Sequence, residues 1–224
     1  MAPWGAQMNS GQARTLEILN QLKDCWITGN VSLTHTHRDG RINSAIDEAE
    51  IVSYLRKQGF DESVFLWSDD LDISNRCWWD IWIVETNTPV NIKSSTHTSG
   101  DNACNFLALL WALTDVHIGK ERNPNAGKDT REYIQNMNSG IDESKSRDYW
   151  FFSVNKKDTS EVIITSVKCL NEATVNANNL PFQIYWSKNH ELNPRSTEDA
   201  RKYYNNIIRA SKQKDWRREL YEAV

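Results

Sequence analysis

Asp80, Asn91 and Lys93 bring an acid, an amide and an amine close together in this sequence. They lie on two arms of a candidate β-hairpin. Trp79-Asp80-Ile81-Trp82-Ile83-Val84 forms one arm, Glu85–Thr88 the turn, and Pro89-Val90-Asn91-Ile92-Lys93 the other. Side chains alternate across a strand, so Asn91 and Lys93 share a face and Ile92 is buried behind them. Pairing of the arms brings Asp80 beside both. A carboxylate, an amide carbonyl oxygen and an ammonium at one spot can hold a hard divalent cation and act on a phosphate.

The helices and strands around this hairpin follow from the pattern of apolar residues. Residues 11–26 are expected to be helical, with Leu16, Ile18, Leu19 and Leu22 as apolar positions. A second helix is expected from about Ile42 to Gln58, stopping at Gly59. Ser63–Trp67 has strand character, and the acidic turn Ser68-Asp69-Asp70 follows it. Asp101–His117 is expected to be a buried helix, because Phe106–Leu113 is apolar almost all round. Residues 119–147 are polar and Asn-rich, which predicts a long excursion, either mobile or ordered by a ligand. Three strands are expected at Tyr149–Val154, Glu161–Val167 and Pro181–Trp186. A closing helix is expected over 196–214, with Ser196 or Thr197 as its cap. This order predicts an α/β or α+β fold with a central mixed β-sheet flanked by helices.

The second helix carries three acids. At about 100° per residue, Ile42, Ala45, Ile46, Ala49 and Val52 are expected on its core face. Glu48 falls at the edge of that face, while Asp47 and Glu50 point further away. An acid beside a core stripe is unusual, so Glu48 is the expected additional acid of the site, weighed equally against a boundary glutamate reaching water.

Composition narrows the classes. The 224 residues fit one domain spanning 1–224 and can bury a real core, for which ten Trp, seven Tyr and six Phe are available. No apolar run approaches the length of a membrane span, and the start of the chain has no signal-peptide pattern. Cys25, Cys77, Cys104 and Cys169 are scattered without paired spacing, which predicts reduced thiols in a cytoplasmic protein. The net charge of −4 does not advertise a nucleic-acid binder. Between Arg201 and Arg218, however, seven basic residues stand against the single acid Asp215, a solvated face or a phosphate-contacting one with even weight. His35-Thr36-His37 could offer two imidazoles to a metal but has no third ligand nearby in sequence, so a surface or DNA-facing loop is preferred. Trp78, Trp79 and Trp82 are better read as core than as a sugar platform. Lys120, Arg122 and Lys128 suit phosphate contact and ordinary loop charge equally.

These residues resemble a family. The hairpin carrying Asp80 and Asn91-Ile92-Lys93, with a helix before it and one after, is similar to the PD-(D/E)XK nuclease core, and more narrowly to the type II restriction endonucleases. The segments Val90–Ser95, Thr98–Ala103 and Asn179–Trp186 are similar to ones that recur in those enzymes. The resemblance spans roughly Ile42 to Trp186. It implies a restriction-endonuclease-like core in which Asp80 ligates the metal and Lys93 orients the attacking water, with Glu48 as an added helix acid. Trp79 stands where the family's motif has proline. Asn91 stands where it has Asp or Glu, so the site has lost a charge: either its metal affinity falls or another acid compensates, with Glu85, Asp69 and Asp70 as candidates.

The resemblance further implies Mg²⁺ held by Asp80, Asn91 and the Ile92 carbonyl, and hydrolysis of phosphodiester bonds in double-stranded DNA at a short, palindromic sequence. A homodimer is expected, because each strand needs one active site. DNA contacts are expected from Ser94, Ser95, Thr98, Ser99, Asn102, Asn178, Asn179 and Gln183. The polar residues 119–147 and the helix 196–214 are expected to contact DNA or form the dimer. Three rivals remain: a non-catalytic DNA-binding module, against which the retained Lys93 argues; a repair-type nuclease, which would give no discrete fragments; and a carbohydrate-binding module, which would be metal-independent.

Overall fold

The computed structural model describes residues 7–34, 40–59, 63–71, 77–140, 143, 147–175 and 182–210. His35-Thr36-His37, Asn178, Asn179 and the basic residues from Lys212 onward lie outside the described residues. In chain order the elements are α1 (Ser10–Thr28), α2 (Gly40–Lys57), β1 (Phe65–Trp67), β2 (Ile81–Ile83), β3 (Thr88–Ser95), β4 (Gly100–Cys104), α3 (Phe106–Leu113), α4 (Ala126–Asn136), β5 (Trp150–Asn155), β6 (Asp158–Ser166), β7 (Ala173–Val175), β8 (Phe182–Tyr185) and α5 (Thr197–Ala210). Among the described residues, no helix is long and apolar enough to cross a membrane.

The expected mixed sheet is present, in the order β1-β2-β3-β5-β6. Its β3–β5 pair is parallel and its other pairs are antiparallel. A parallel pair needs a long crossover, and the connection from Ser95 to Trp150 carries β4, α3 and α4. The hairpin forms in the register Ile81↔Val90, Trp82↔Pro89 and Ile83↔Thr88. Its turn closes through Asn87 at φ 51°, a left-handed conformation that asparagine tolerates. The Asn87 side chain accepts from the Trp82 indole at 3.2 Å.

The sheet separates two cores. On one face Ile81, Ile83, Val90, Ile92, Phe152 and Val154 pack against Ile18, Leu19, Leu22 and Trp26 of α1 and Ile51, Val52 and Leu55 of α2. On the other face Trp82 and Phe151 meet α3, every residue of which is buried. A second, antiparallel sheet, β4-β8-β7, adds Phe182 and Ile184 to that same core.

Four expectations need correction. Asp101–His117 is not one helix: Gly100–Cys104 is strand β4, and α3 begins only at Phe106. Asn105 caps that helix, its Oδ1 accepting from Ala108 N at 2.8 Å, which leaves Gly100, Asp101 and Cys104 to pair with β8. Residues 119–147 are not simply a long excursion, since they contain α4, started by Asn125 accepting from Lys128 N. Strand β7 was not expected. On α2, Ile42, Ala45 and Ala49 are exposed and Asp47 is fully buried. The helix turns Asp47, Ile51 and Leu55 inward, because the end of β3 offers Asp47 a polar partner there. The closing helix begins as expected, with Ser196 Oγ accepting from Asp199 N at 3.0 Å.

Candidate active site

Asp80 sits just before β2, on the sheet face that carries Trp82 and Phe151. Its main-chain N–H donates to Val90 O at 2.9 Å, and its carbonyl accepts from Ser68 N at 3.0 Å. The residue is therefore fixed to both neighbouring strands. Its carboxylate extends the ladder beyond the end of β2, Oδ2 accepting the Ile92 N–H at 2.7 Å. Within a strand, a residue's N–H and C=O point toward the same neighbour. The Ile92 carbonyl accordingly points to the Asp80 side, past the end of β2.

Asn91 and Lys93 are half-buried on either side of the fully buried Ile92, in the alternation the sequence predicts. Asn91 pairs with Phe151 of β5, and Lys93 with Ser153. The Asn91 amide interacts with the Tyr149 hydroxyl. That hydroxyl donates to Trp78 O at 2.5 Å. Burial, with the Asp80 charge nearby, holds the phenol protonated. Asn91 Oδ1 is buried without a hydrogen-bond partner among the described residues. An orphaned acceptor of this kind costs about 1–3 kcal/mol. Tyr133 Oη, Trp150 Nε1 and Thr165 Oγ1 are also buried without a partner among the described residues; Asn91 differs in lying beside Asp80 and Lys93.

α2 crosses the end of β3 so that consecutive acids meet consecutive strand residues. Asp47 accepts from Ser94 Oγ at 2.9 Å. Glu48 accepts from the Lys93 ammonium at 3.1 and 3.2 Å through its two oxygens. Glu50 turns away to Thr34. The three helix acids are thereby separated, and Glu48 is the one joined to Lys93.

Burial pushes the Glu48 carboxyl up to about 7; Lys93 opposes the shift, and Asp80 and Asp101 add to it. Burial likewise raises Asp80, against the pull of Lys93 and the Ile92 N–H. Burial works against the Lys93 ammonium, but Glu48, Asp80 and Asp101 outweigh it, and its pKa is held above the usual value.

Asp101 is the acid that sequence reading missed, because it was assigned to a helix. It lies on β4, accepts the Trp186 indole N–H at 2.9 Å, and acts on both Lys93 and Glu48. The N-cap character of Asn105 was the available signal. Of the three acids expected to compensate for Asn91, Glu85 pairs with Arg14 at the surface and Asp70 with Arg56. Asp69 alone acts on Asp80.

The residues expected to meet DNA fall into distinct groups. Ser94 and Ser95 are buried and used internally, Ser94 on Asp47 and Ser95 on the His97 N–H. Thr98 and Ser99 are exposed in the β3–β4 connection. Asn102 and Gln183 come together across β4 and β8, Gln183 Nε2 donating to Asn102 Oδ1 at 3.0 Å. Arg122 is held by Asp129 and Glu132, Lys120 lies 4.7 Å over the Trp82 ring, and Arg201 donates to carbonyls of Leu113 and Ser139. Lys128 is exposed.

Among the described residues, no three His, Cys, Asp or Glu side chains gather to hold a metal ion. The oxygen set here is different in kind: one carboxylate, one amide and one main-chain carbonyl. The unpartnered Asn91 Oδ1 fits an oxygen-seeking cation, which is the preference of Mg²⁺. No protein-family model, curated protein or solved structure matches the chain.

Proposed function

We propose that the chain is a type II restriction endonuclease of the PD-(D/E)XK class, a homodimer in the cytoplasm that cleaves double-stranded DNA at a short, palindromic sequence. One observation carries this reading. The Lys93 ammonium is held by Glu48 on the strand where Asn91 keeps an unpaired buried oxygen, and Asp80 is tied to the residue between them. A structural ion pair has no need of an orphaned acceptor beside it.

Asp80, the Asn91 side chain and the Ile92 carbonyl would hold Mg²⁺. When bound, that ion neutralises the phosphate oxygens and lowers the pKa of its water. Lys93 points its ammonium at the phosphate and orients the attacking water. Glu48, when ionised, keeps Lys93 charged and in place. The water oxygen forms a new bond to phosphorus as the P–O3′ bond breaks, and the proton the water loses balances the one the leaving 3′ oxygen takes up.

The test is digestion of long duplex DNA with and without Mg²⁺, wild type beside Lys93→Ala. Discrete, metal-dependent fragments that the variant does not produce are expected. Intact DNA over a wide range of enzyme and metal concentrations would refute the reading, and a Lys93-dependent smear would replace it with a nuclease lacking sequence preference.

A further inference from the structure

The outward face of the second sheet is built unlike its inward face. Alternation turns Phe182 and Ile184 of β8 into the core, and places Gln183 and Tyr185 outward. Asn102 of β4 is exposed beside them, and Thr174 of β7 lies opposite Gln183 in the register. This side is a row of hydroxyl and amide groups across three strands. The inward side of β4 carries Asp101, one of the charges acting on Lys93, so the row begins one residue from the candidate active site.

Within the row, Gln183 is hydrogen-bonded to its cross-strand neighbour. One of its two Nε2 hydrogens goes to Asn102 Oδ1 at 3.0 Å. Among the described residues the second Nε2 hydrogen and Oε1 make no further hydrogen bond, which leaves one donor and one acceptor on the same amide. Oε1 lies over Gly100, where a β-carbon would stand 3.1 Å from it and 3.2 Å from the Tyr185 ring. Glycine at this position leaves a notch against Oε1 that any side chain would fill. A donor and an acceptor in this spacing match the major-groove edge of adenine, with N6–H donating to Oε1 and N7 accepting from Nε2.

We propose that the outward face of β4-β8-β7 is the base-reading surface, and that Gln183, set by Asn102 and given room by Gly100, selects an A·T pair. This rests on the nuclease reading above and adds to it a residue and a base. Gln183 sets specificity and takes no part in bond breaking.

The test selects sequences bound by the full chain, in Ca²⁺, from duplexes with a randomised centre, comparing wild type with Gln183→Ala. The wild type is expected to enrich a motif containing an A·T pair at which the variant loses roughly 10- to 100-fold of its discrimination. The rest of the motif and the thermal midpoint should be unchanged. With 7-deazaadenine at that position, the wild type should fall to the level of the variant, and the variant should not fall further. Gly100→Ala should weaken the same base pair alone. An unchanged motif in Gln183→Ala, or an effect confined to a G·C pair, overturns the assignment and leaves the nuclease reading standing. A wild type that enriches no motif overturns both.

Discussion

Two buried carboxylates in this molecule are treated in opposite ways. Asp148, before β5, is saturated. Its Oδ2 accepts from Gln12 Nε2 at 2.9 Å and Ser166 Oγ at 2.7 Å, and its Oδ1 from Tyr149 N at 2.8 Å and Lys168 N at 3.3 Å. The Lys168 ammonium donates to Thr197 Oγ1 at the start of α5. That network ties α1, two strands and the last helix together. Around Asp80 the carboxylate makes one main-chain contact, its neighbour Asn91 holds an unpaired oxygen, and two further acids press on one lysine. A buried polar network that is fully satisfied rigidifies a fold, whereas an unpaired buried polar group is a cost that the fold carries. Sequence alone would not separate them, since both offer an acid and a lysine.

The comparison breaks first at its two extremes. Lys93→Ala is expected to lower the single-turnover cleavage rate by roughly 10²–10³-fold, the usual cost of removing one aligned charge from a reacting centre, with the thermal midpoint close to wild type. Asp148→Ala is expected to do the reverse. It strands the donors of Gln12, Ser166 and Tyr149 and should cost about 3–5 kcal/mol in denaturant unfolding, while cleavage per folded molecule stays at the wild-type level. If Asp148→Ala leaves stability intact, or Lys93→Ala unfolds the chain, the division into a structural and a functional network is wrong.

Glu48 sharpens the contrast through pH. Its folded carboxyl titrates at about 7 against a usual 4.5, with burial the main cause. The folded chain therefore holds a proton that the unfolded chain releases. The stability this group contributes is complete below about pH 4.5 and is lost as pH rises through 7. Cleavage should run the other way, rising through pH 7 as the ionised carboxylate comes to hold Lys93. Glu48→Gln should flatten both profiles, which paired unfolding and rate measurements would show.

Much of this was legible in the sequence, for identifiable reasons. The hairpin announced itself by alternation, and the same alternation set Asn91 and Lys93 on one side of Ile92. The closing helix was marked by Ser196 with acids in its first turn. What failed was phase and capping. On α2 the period was right and Val52 of the expected stripe is in the core, with Ile46 half-buried, but Ile42, Ala45 and Ala49 face out, because a carboxylate, Asp47, faces the sheet instead. Asp47 does so because Ser94 meets it, a contact across 47 positions of sequence that no local pattern contains. Asp101 was hidden by an apolar run just after it, since Phe106–Leu113 drew the helix start too far back. The second sheet pairs β4 with β8, 80 or so residues away, a non-local pairing that short strands do not signal.

The smallest and most discriminating change is Asn91→Asp. It restores the charge that the family resemblance expects at this position, in a side chain of nearly the same shape. Without a cation, a second carboxylate beside Asp80 adds like-charge repulsion in a buried setting, so stability should fall, by about 1–3 kcal/mol. With Mg²⁺ present the new charge becomes an attraction. The Mg²⁺ concentration needed for half-maximal protection against unfolding should drop several-fold, because affinity for hard cations rises with ligand charge. Thermal melts over a Mg²⁺ series, wild type beside variant, read both effects from one protein. Opposite signs with and without Mg²⁺ would mark the Asn91 oxygen as a metal-facing group. A variant destabilised equally at every Mg²⁺ concentration would make the orphaned acceptor a packing defect, and move the open network back to the structural side of the comparison.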